Sequence, residues 1–310
     1  MSRRMLIAFF IFAGWAGAAF AQATAGDTLR LGFFPPLGED LVYRIEFSQE
    51  QVFDGRTDRR SWSHEVVIRL TDKRPPDLLA GRFTLRNVVD HQGSGEDPYY
   101  LIASAIEGES FDLQMLEAGP PVVVDWAGIK RRVGERSAGL GGRTAAAMPQ
   151  ILPMFDPEGV TAVMRPLWVT GIAYLRAFAR DGSTTTATGL DLPAFYPVKG
   201  AVLQSYGARL EGSEDLMFVW KITSDPKAAS ESLGREIQGI VRMLASGVGQ
   251  ADLGRQITEA LAQGVEALEG GVAIYDLTPG LMREVTFDAR LVAGPFRRDT
   301  HIVITRLAPE

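Results

Sequence analysis

Three histidines, His64, His91 and His301, are the obvious carriers of acid–base or metal chemistry. No two of them stand at metal-ligand spacing. With no cysteine in the chain, a zinc site would have to draw on carboxylates. His64 alternates with Trp62 and Val66, and His301 lies in the last apolar alternation, so both read as strand residues with ordinary hydrogen bonds. Asp90, Gln92, Ser94, Glu96 and Asp97 crowd one turn, and oxygens at alternate positions can hold calcium. Glutamine and serine, however, stand where a calcium loop wants carboxylates, and glycine with acids is ordinary turn chemistry. Gly139, Gly141, Gly142, Arg143 and Thr144 invite a phosphate-loop reading, but that motif wants glycine at position 137 and lysine at 143, where serine and arginine stand. Ser94 between Gly93 and Gly95 does not have the spacing of a nucleophile elbow. Glu39-Asp40 and Glu214-Asp215 flank strand patterns and read as solvated ends, not as an acid–base pair. No catalytic residue, metal ligand or cofactor is therefore assigned.

Binding is better served than catalysis. Lys130, Arg131, Arg132 and Arg136 form a local basic cluster that could meet anionic lipid heads or an acidic partner, or simply solvate a turn. Tyr43, Phe47, Trp62, Phe83, Phe218, Trp220 and Phe287 sit at alternate positions of strand patterns. They are core residues first. In a curved sheet the same rings would line a cavity, which makes them the candidate ligand-binding set.

The elements that must position these residues are mostly strands. Val285, Phe287, Ala289 and Leu291, with Leu281 and Arg283 before them, fall on one side of an extended segment, and Glu284, Thr286, Asp288 and Arg290 on the other. This is the period-two pattern of a sheet with one packed and one wet face. Gly294-Pro295 then turns the chain into a last strand carrying Ile302, Val303 and Ile304. The same alternation marks Leu41 to Ser48, Trp62 to Leu70, Phe83 to Val89, Ala201 to Leu210 and Leu216 to Ile222. Tyr99 to Ile106 and Phe111 to Met115 read as further strands, as do pieces of 167–178 and 184–190, and Val122 to Gly128 reads as extended. The periodicity changes to helical after Asp225-Pro226, with a stripe of Leu233, Ile237, Ile240, Val241 and Leu244, and again over Gln250 to Leu268. Asp156-Pro157 opens a small helical insertion around 144–164. The expected fold class is α+β: a curved, mostly antiparallel β-sheet or half-barrel packed against a helical pair around 226–268 and that insertion, all in one domain over 29–310.

Ser2-Arg3-Arg4, the apolar run from Met5 to Phe12 and the small residues Ala19-Phe20-Ala21 make a secretory signal over 1–21, followed by a polar tether over 22–28. Export without cysteine fits a soluble protein of a bacterial periplasm, not transmembrane once the signal is cleaved. The formal charge is -6, and about -8 without Arg3 and Arg4. Such an acidic chain argues against a sequence-independent nucleic-acid binder.

The Tyr43-Arg44-Ile45 strand, Trp62 to Leu70, the segment Val122 to Gly128, the Asp276 to Gly280 turn and the final strand pair together resemble uncharacterised bacterial periplasmic proteins with the antiparallel half-barrel of lipoprotein carriers. The resemblance implies an apolar concave face, partly covered by helices, that holds an acyl chain or a partner segment. The expected function is thus a non-enzymatic periplasmic protein binding an apolar or lipid-like ligand or an envelope partner. A structural or assembly role in the envelope is the alternative, and a hydrolase with an unrecognised acidic site the second.

Overall fold

The computed structural model describes residues 28–31, 35–53, 55–74, 78–116, 122–139, 177–179, 185–190, 200–234 and 259–308. The expected signal at 1–21, the tether up to residue 27, the insertion around 144–164 and the middle of the expected helical pair lie outside them. In chain order the strands are β1 (Thr28–Arg30), β2 (Asp40–Phe53), β3 (Arg56–Arg74), β4 (Leu78–Gln92), β5 (Ser110–Leu116), β6 (Val122–Val123), β7 (Ala177–Ala179), β8 (Thr185–Leu190), β9 (Ala201–Arg209), β10 (Asp215–Thr223), β11 (Glu266–Asp276), β12 (Leu281–Ala293) and β13 (Phe296–Arg306). Two helices, α1 (Pro98–Ile106) and α2 (Trp126–Gly139), interrupt them, and residues 226–234 and 259–263 are helical as well.

The fold class is α+β. Eleven strands form one curved antiparallel half-barrel sheet in the order β6-β5-β4-β3-β2-β13-β12-β11-β10-β9-β8, while β1 and β7 form a separate pair. The β12–β13 hairpin does not sit at a sheet edge. β13 pairs along its length with β2, so an early strand and the last strand meet in the middle. Register shifts between β3 and β4, between β11 and β12 and between β8 and β9 mark bulges, which bend long strands.

Alternation puts one face of this sheet in the core. Phe218, Ala273, Val285, Ile304, Ile45 and His64 are successive cross-strand partners on the packed face. The neighbouring packed row is Trp220, Gly271, Phe287, Ile302, Phe47 and Trp62. Every side chain in both rows is buried. Trp220 stacks on Phe218 with centroids 5.4 Å apart and lies 6.3 Å from Phe287. It reaches that far because Gly271 stands between them: a Cβ there would be 2.5 Å from the Phe287 Cβ and 2.7 Å from the Trp220 Cη2. The indole covers the place of the missing side chain, as aromatic neighbours of strand glycines do.

Four expectations are corrected. Tyr99 to Ile106 is helix α1, not a strand: the Asp97 carboxylate accepts from the Tyr99 and Tyr100 amides, and Pro98 takes the first helical turn. Its apolar residues Leu101, Ile102, Ala105 and Ile106 are buried among the core. The extended segment stops at Val123, and Trp126 to Gly139 is helix α2, capped by the Asp125 side chain on the Gly128 amide, with Ile129 and Val133 as its buried stripe. The second late helix ends by residue 263, and Glu266 to Asp276 is strand β11. Gly264, at φ +104°, makes the break, and the Val265 amide donates to the Pro226 carbonyl. Finally, Arg283 is on the wet face. It is the extra residue of the β11–β12 bulge, where Ile274 faces Glu284 and Tyr275 faces Met282, so the alternation slips by one.

Gly271→Ala should lower stability by about 1–3 kcal/mol, the usual cost of overfilling a packed site. The half-exposed neighbour Val272→Ala should stay within about 0.5 kcal/mol. Urea unfolding followed by tryptophan emission compares the two.

Candidate functional site

The solvent face of the central sheet carries a trough of about 950 Å³ that crosses the strands from β10 to β4. Its floor is a row of small or polar residues that are cross-strand partners: Gly270, Asp288, His301, Ser48, Ser61 and Gln92. Glycine and serine make that floor low. The trough has two unlike ends. At β10–β11 it is bordered by Val219, Val272 and Leu268 together with Lys221, and Val272 is 41% exposed. From β12 to β3 it is bordered by charge.

That charge is an ordered ladder. Arg290 donates to Asp299 at 2.6 Å, Arg297 joins Asp299 at 2.8 Å and Glu50 at 3.0 Å, and Arg59 donates to Glu50 at 2.8 Å. Arg290, Asp299, Glu50 and Arg59 are successive cross-strand positions. The Arg59 hydrogen bond, with help from Arg297, holds the Glu50 carboxyl below the usual carboxylate range. The Asp299 hydrogen bond holds the Arg290 guanidinium above its ordinary value.

Asp288 and His301 also meet here, at 2.8 Å on the ring Nδ1, with Ser48 directly opposite His301. The order acid, imidazole, hydroxyl is suggestive. No hydrogen bond joins Ser48 to the ring, however, and main-chain N–H groups in a sheet interior are committed to the ladder. Glu50 and Asp299 face each other in register, as an acid pair would. Each has both oxygens on a guanidinium, and Glu50 is held ionised, so it lacks the proton a general acid delivers. These groups bind and orient charge; they are not poised to move protons.

The residues singled out from sequence are distributed as follows. Tyr43, Phe47, Trp62, Phe83, Phe218, Trp220 and Phe287 are all buried on the packed face. Phe47 lies 5.6 Å from Trp62, and Phe83 lies 6.2 Å from Phe111. Among the seven, Trp220 alone also borders the trough. Burial pushes the Tyr43 hydroxyl up to about 12, against the pull of Arg306. The basic cluster is on α2. Arg131 pairs with Glu135, Arg132 with Glu109 and Asp125, and Arg136 with Glu109, so most of its charge is matched. Of the acidic turn, Asp90 accepts from the Ser94 amide and Asp97 caps α1, which turns both carboxylates toward the protein. Among the described residues no group of three potential ligands could hold a metal ion. His91 bonds Ser63 at 2.8 Å.

Two further features were not expected. Glu65 is clasped by Arg44 at 2.9 Å, Arg86 at 3.0 Å and Asn87 at 2.9 Å, next to a bulge where Asn87 adopts φ +55°. Burial alone would raise its carboxyl; the three donors outweigh burial and lower it. His64 is fully buried, stacked on Trp62 at 4.8 Å, and neither ring nitrogen has a partner among the described residues. Burial drops its pKa to about 3. The ladder itself escapes sequence reading because its members are remote: Arg297 and Glu50 are 247 positions apart. Charged residues at alternate strand positions were its one visible trace.

No protein-family model matches this chain, and no curated protein does. Among solved structures, the crystal structure of Rv2717c from M. tuberculosis aligns over 85% of this chain and 91% of that chain, at 9% identity and a TM-score of 0.21. At that score it carries nothing over. No helix among the described residues is long and apolar enough to cross a membrane.

His64 sets an acid dependence. Its folded pKa lies below its unfolded value of 6.5, so its neutral state supports the fold above that pH, and the support is lost as pH falls toward 3. The loss accrues at up to about 1.4 kcal/mol per unit. The lowered carboxylates Asp40, Glu50 and Glu65 act only below about 4.5. Thermal melts between pH 6.5 and 4.5 should therefore fall steeply for the native chain and stay nearly flat for His64→Phe.

Proposed function

We propose that this chain is an exported periplasmic binding protein, not an enzyme, and that it holds a lipid-like amphiphile along the trough on its solvent face. One observation carries the reading: a single trough has apolar side chains at Val219, Val272 and Leu268, with Lys221 among them, and a charged end at Arg290, Asp299, Glu50 and Arg59. Its volume lies within the range of small-molecule sites, roughly 300–1,000 Å³. A ligand matched to it must itself be apolar at one end and polar at the other.

The basic start, short apolar run and small-residue exit of residues 1–21 support export, and the absence of cysteine fits a periplasm. The half-barrel carriers that the strand pattern resembles imply a ligand on the helix-covered face. Here the rings of that face contact one another, so the proposal places the ligand on the opposite face. The polar groups of the trough are tied in ion pairs, which suits recognition of a head group rather than its conversion.

A dansylated undecanoic acid tests the reading. Its emission should rise and shift to the blue, saturating at one probe per chain. Val272→Asp, at an exposed strand position, should weaken binding about tenfold or more with the thermal midpoint checked alongside, since burying a valine is worth about 1.5–3 kcal/mol. Unsaturable binding, or a variant that binds as well as the native chain, sinks the proposal.

A further inference from the structure

The hydrogen-bond capacity left over in the ladder has a sign. Glu50 accepts from Arg59 on Oε2 and from Arg297 on Oε1. Asp299 accepts from Arg290 on Oδ1 and meets Arg297 on Oδ2. All four carboxylate oxygens are thus engaged, and Arg297 at the centre is matched on both sides. The third acid, Asp288, is exposed and holds His301. The two end arginines are in a different position. Arg59 and Arg290 each engage through Nε, and among the described residues the Nη groups of neither have a partner. A guanidinium carries five N–H donors, so each retains four. Lys221, exposed at the β10 end, has no partner among the described residues either. The ladder itself holds three cations against two acids, with Glu266 and Asp288 also acting on Arg290 by charge, and its unused hydrogen-bonding groups are mostly donors.

Resting on the amphiphile reading above, we infer that the head group this trough takes is an oxyanion, a carboxylate or a phosphate, received by the unclaimed Nη groups of Arg290 or of Arg59, which stand at opposite ends of the row. A cationic head would have to compete with the guanidinium already on each oxygen of Glu50 and Asp299. A neutral head would leave charge-assisted donors without charged acceptors, forfeiting the stronger kind of hydrogen bond. The ladder also positions its end members. Each Nε is pinned by an acid, so the planar fork needs little ordering when the anion arrives.

Calorimetric titration of the full chain with four twelve-carbon amphiphiles below their micellar range tests this: dodecanoate, dodecyl phosphate, dodecyl maltoside and dodecyltrimethylammonium. At least one of the two anions should bind about tenfold or more tightly than the maltoside and the ammonium, and the ratio between the anions tells carboxylate from phosphate. The advantage should shrink between low and high salt, as exposed ion pairs do. Arg59→Gln combined with Arg290→Gln should bring the ratio of anion to maltoside affinity to about one, and Arg59→Lys with Arg290→Lys should restore part of that ratio. Equal affinity for all four heads, or an anion preference that survives the double glutamine variant, overturns the inference and leaves the amphiphile reading standing. Saturable binding of none of the four overturns both.

Discussion

The contact between Trp220 and Phe287 across the empty position of Gly271 is the constraint on which the central sheet depends. It ties β10 to β12 over the intervening strand and fixes the register of three neighbours at once. A one-residue slip would put Trp220 in solvent and bring Val219 inside. It would also destroy the row that continues through Ile302 and Phe47 to Trp62. Bulk on both sides of a glycine gives this row a geometry that no other residue at 271 could accept. The trough follows from the same local choice. Gly270 faces the solvent side of the strand on which Gly271 faces the core, and its lack of a side chain lowers the floor just where Val272 stands exposed.

The two faces of the sheet are chemically opposite. The packed face is apolar over the rows of Phe218 and Trp220, and becomes polar toward the β12–β13 turn, where Gln49 donates to Thr300 and the Gln51 amide donates to Gln49. The solvent face is a lattice of ion pairs, including Asp40 with Arg69 and Arg82 with Asp112. Surface pairs of this kind contribute little stability, about 0–1 kcal/mol each. They do decide which groups remain available at the rim of a site: the trough lining balances four cations with four acids, and the unclaimed N–H donors are those of Arg59, Arg290 and Lys221.

The strand pattern was legible because alternation is a direct imprint of a two-faced sheet. The packed set Val285, Phe287, Ala289 and Leu291 could be read off spacing alone. Helix α1 was not, because Tyr99 to Ile106 is apolar almost throughout, and a short apolar run has no period to distinguish strand from helix. The cap at Asp97 with Pro98 was the better signal and outweighs the β-branched and aromatic content. Helix α2 was hidden by Gly128, Gly134 and a charged outer face, though Ile129 and Val133 stand one turn apart. Arg283 was misplaced because a bulge is invisible to strict alternation. The trough could not be foreseen, since its floor is assembled from β11, β12, β13, β2, β3 and β4 and its border from β10 as well. On each of these strands the contributing residues look like any wet-face position.

The pairing of β2 with β13 bears on the order in which this polypeptide can fold. Gln49 and Thr300 hydrogen-bond across 251 positions, and the seam they belong to lies in the middle of the sheet. Until residues 296–306 are synthesised, β2 and β12 have no strand between them and the two halves of the sheet have no common hydrogen-bonded border. Contacts so remote in sequence form slowly because a large loop must close first. A nascent chain therefore keeps its two half-sheets apart, and they join only when the last strand has been made.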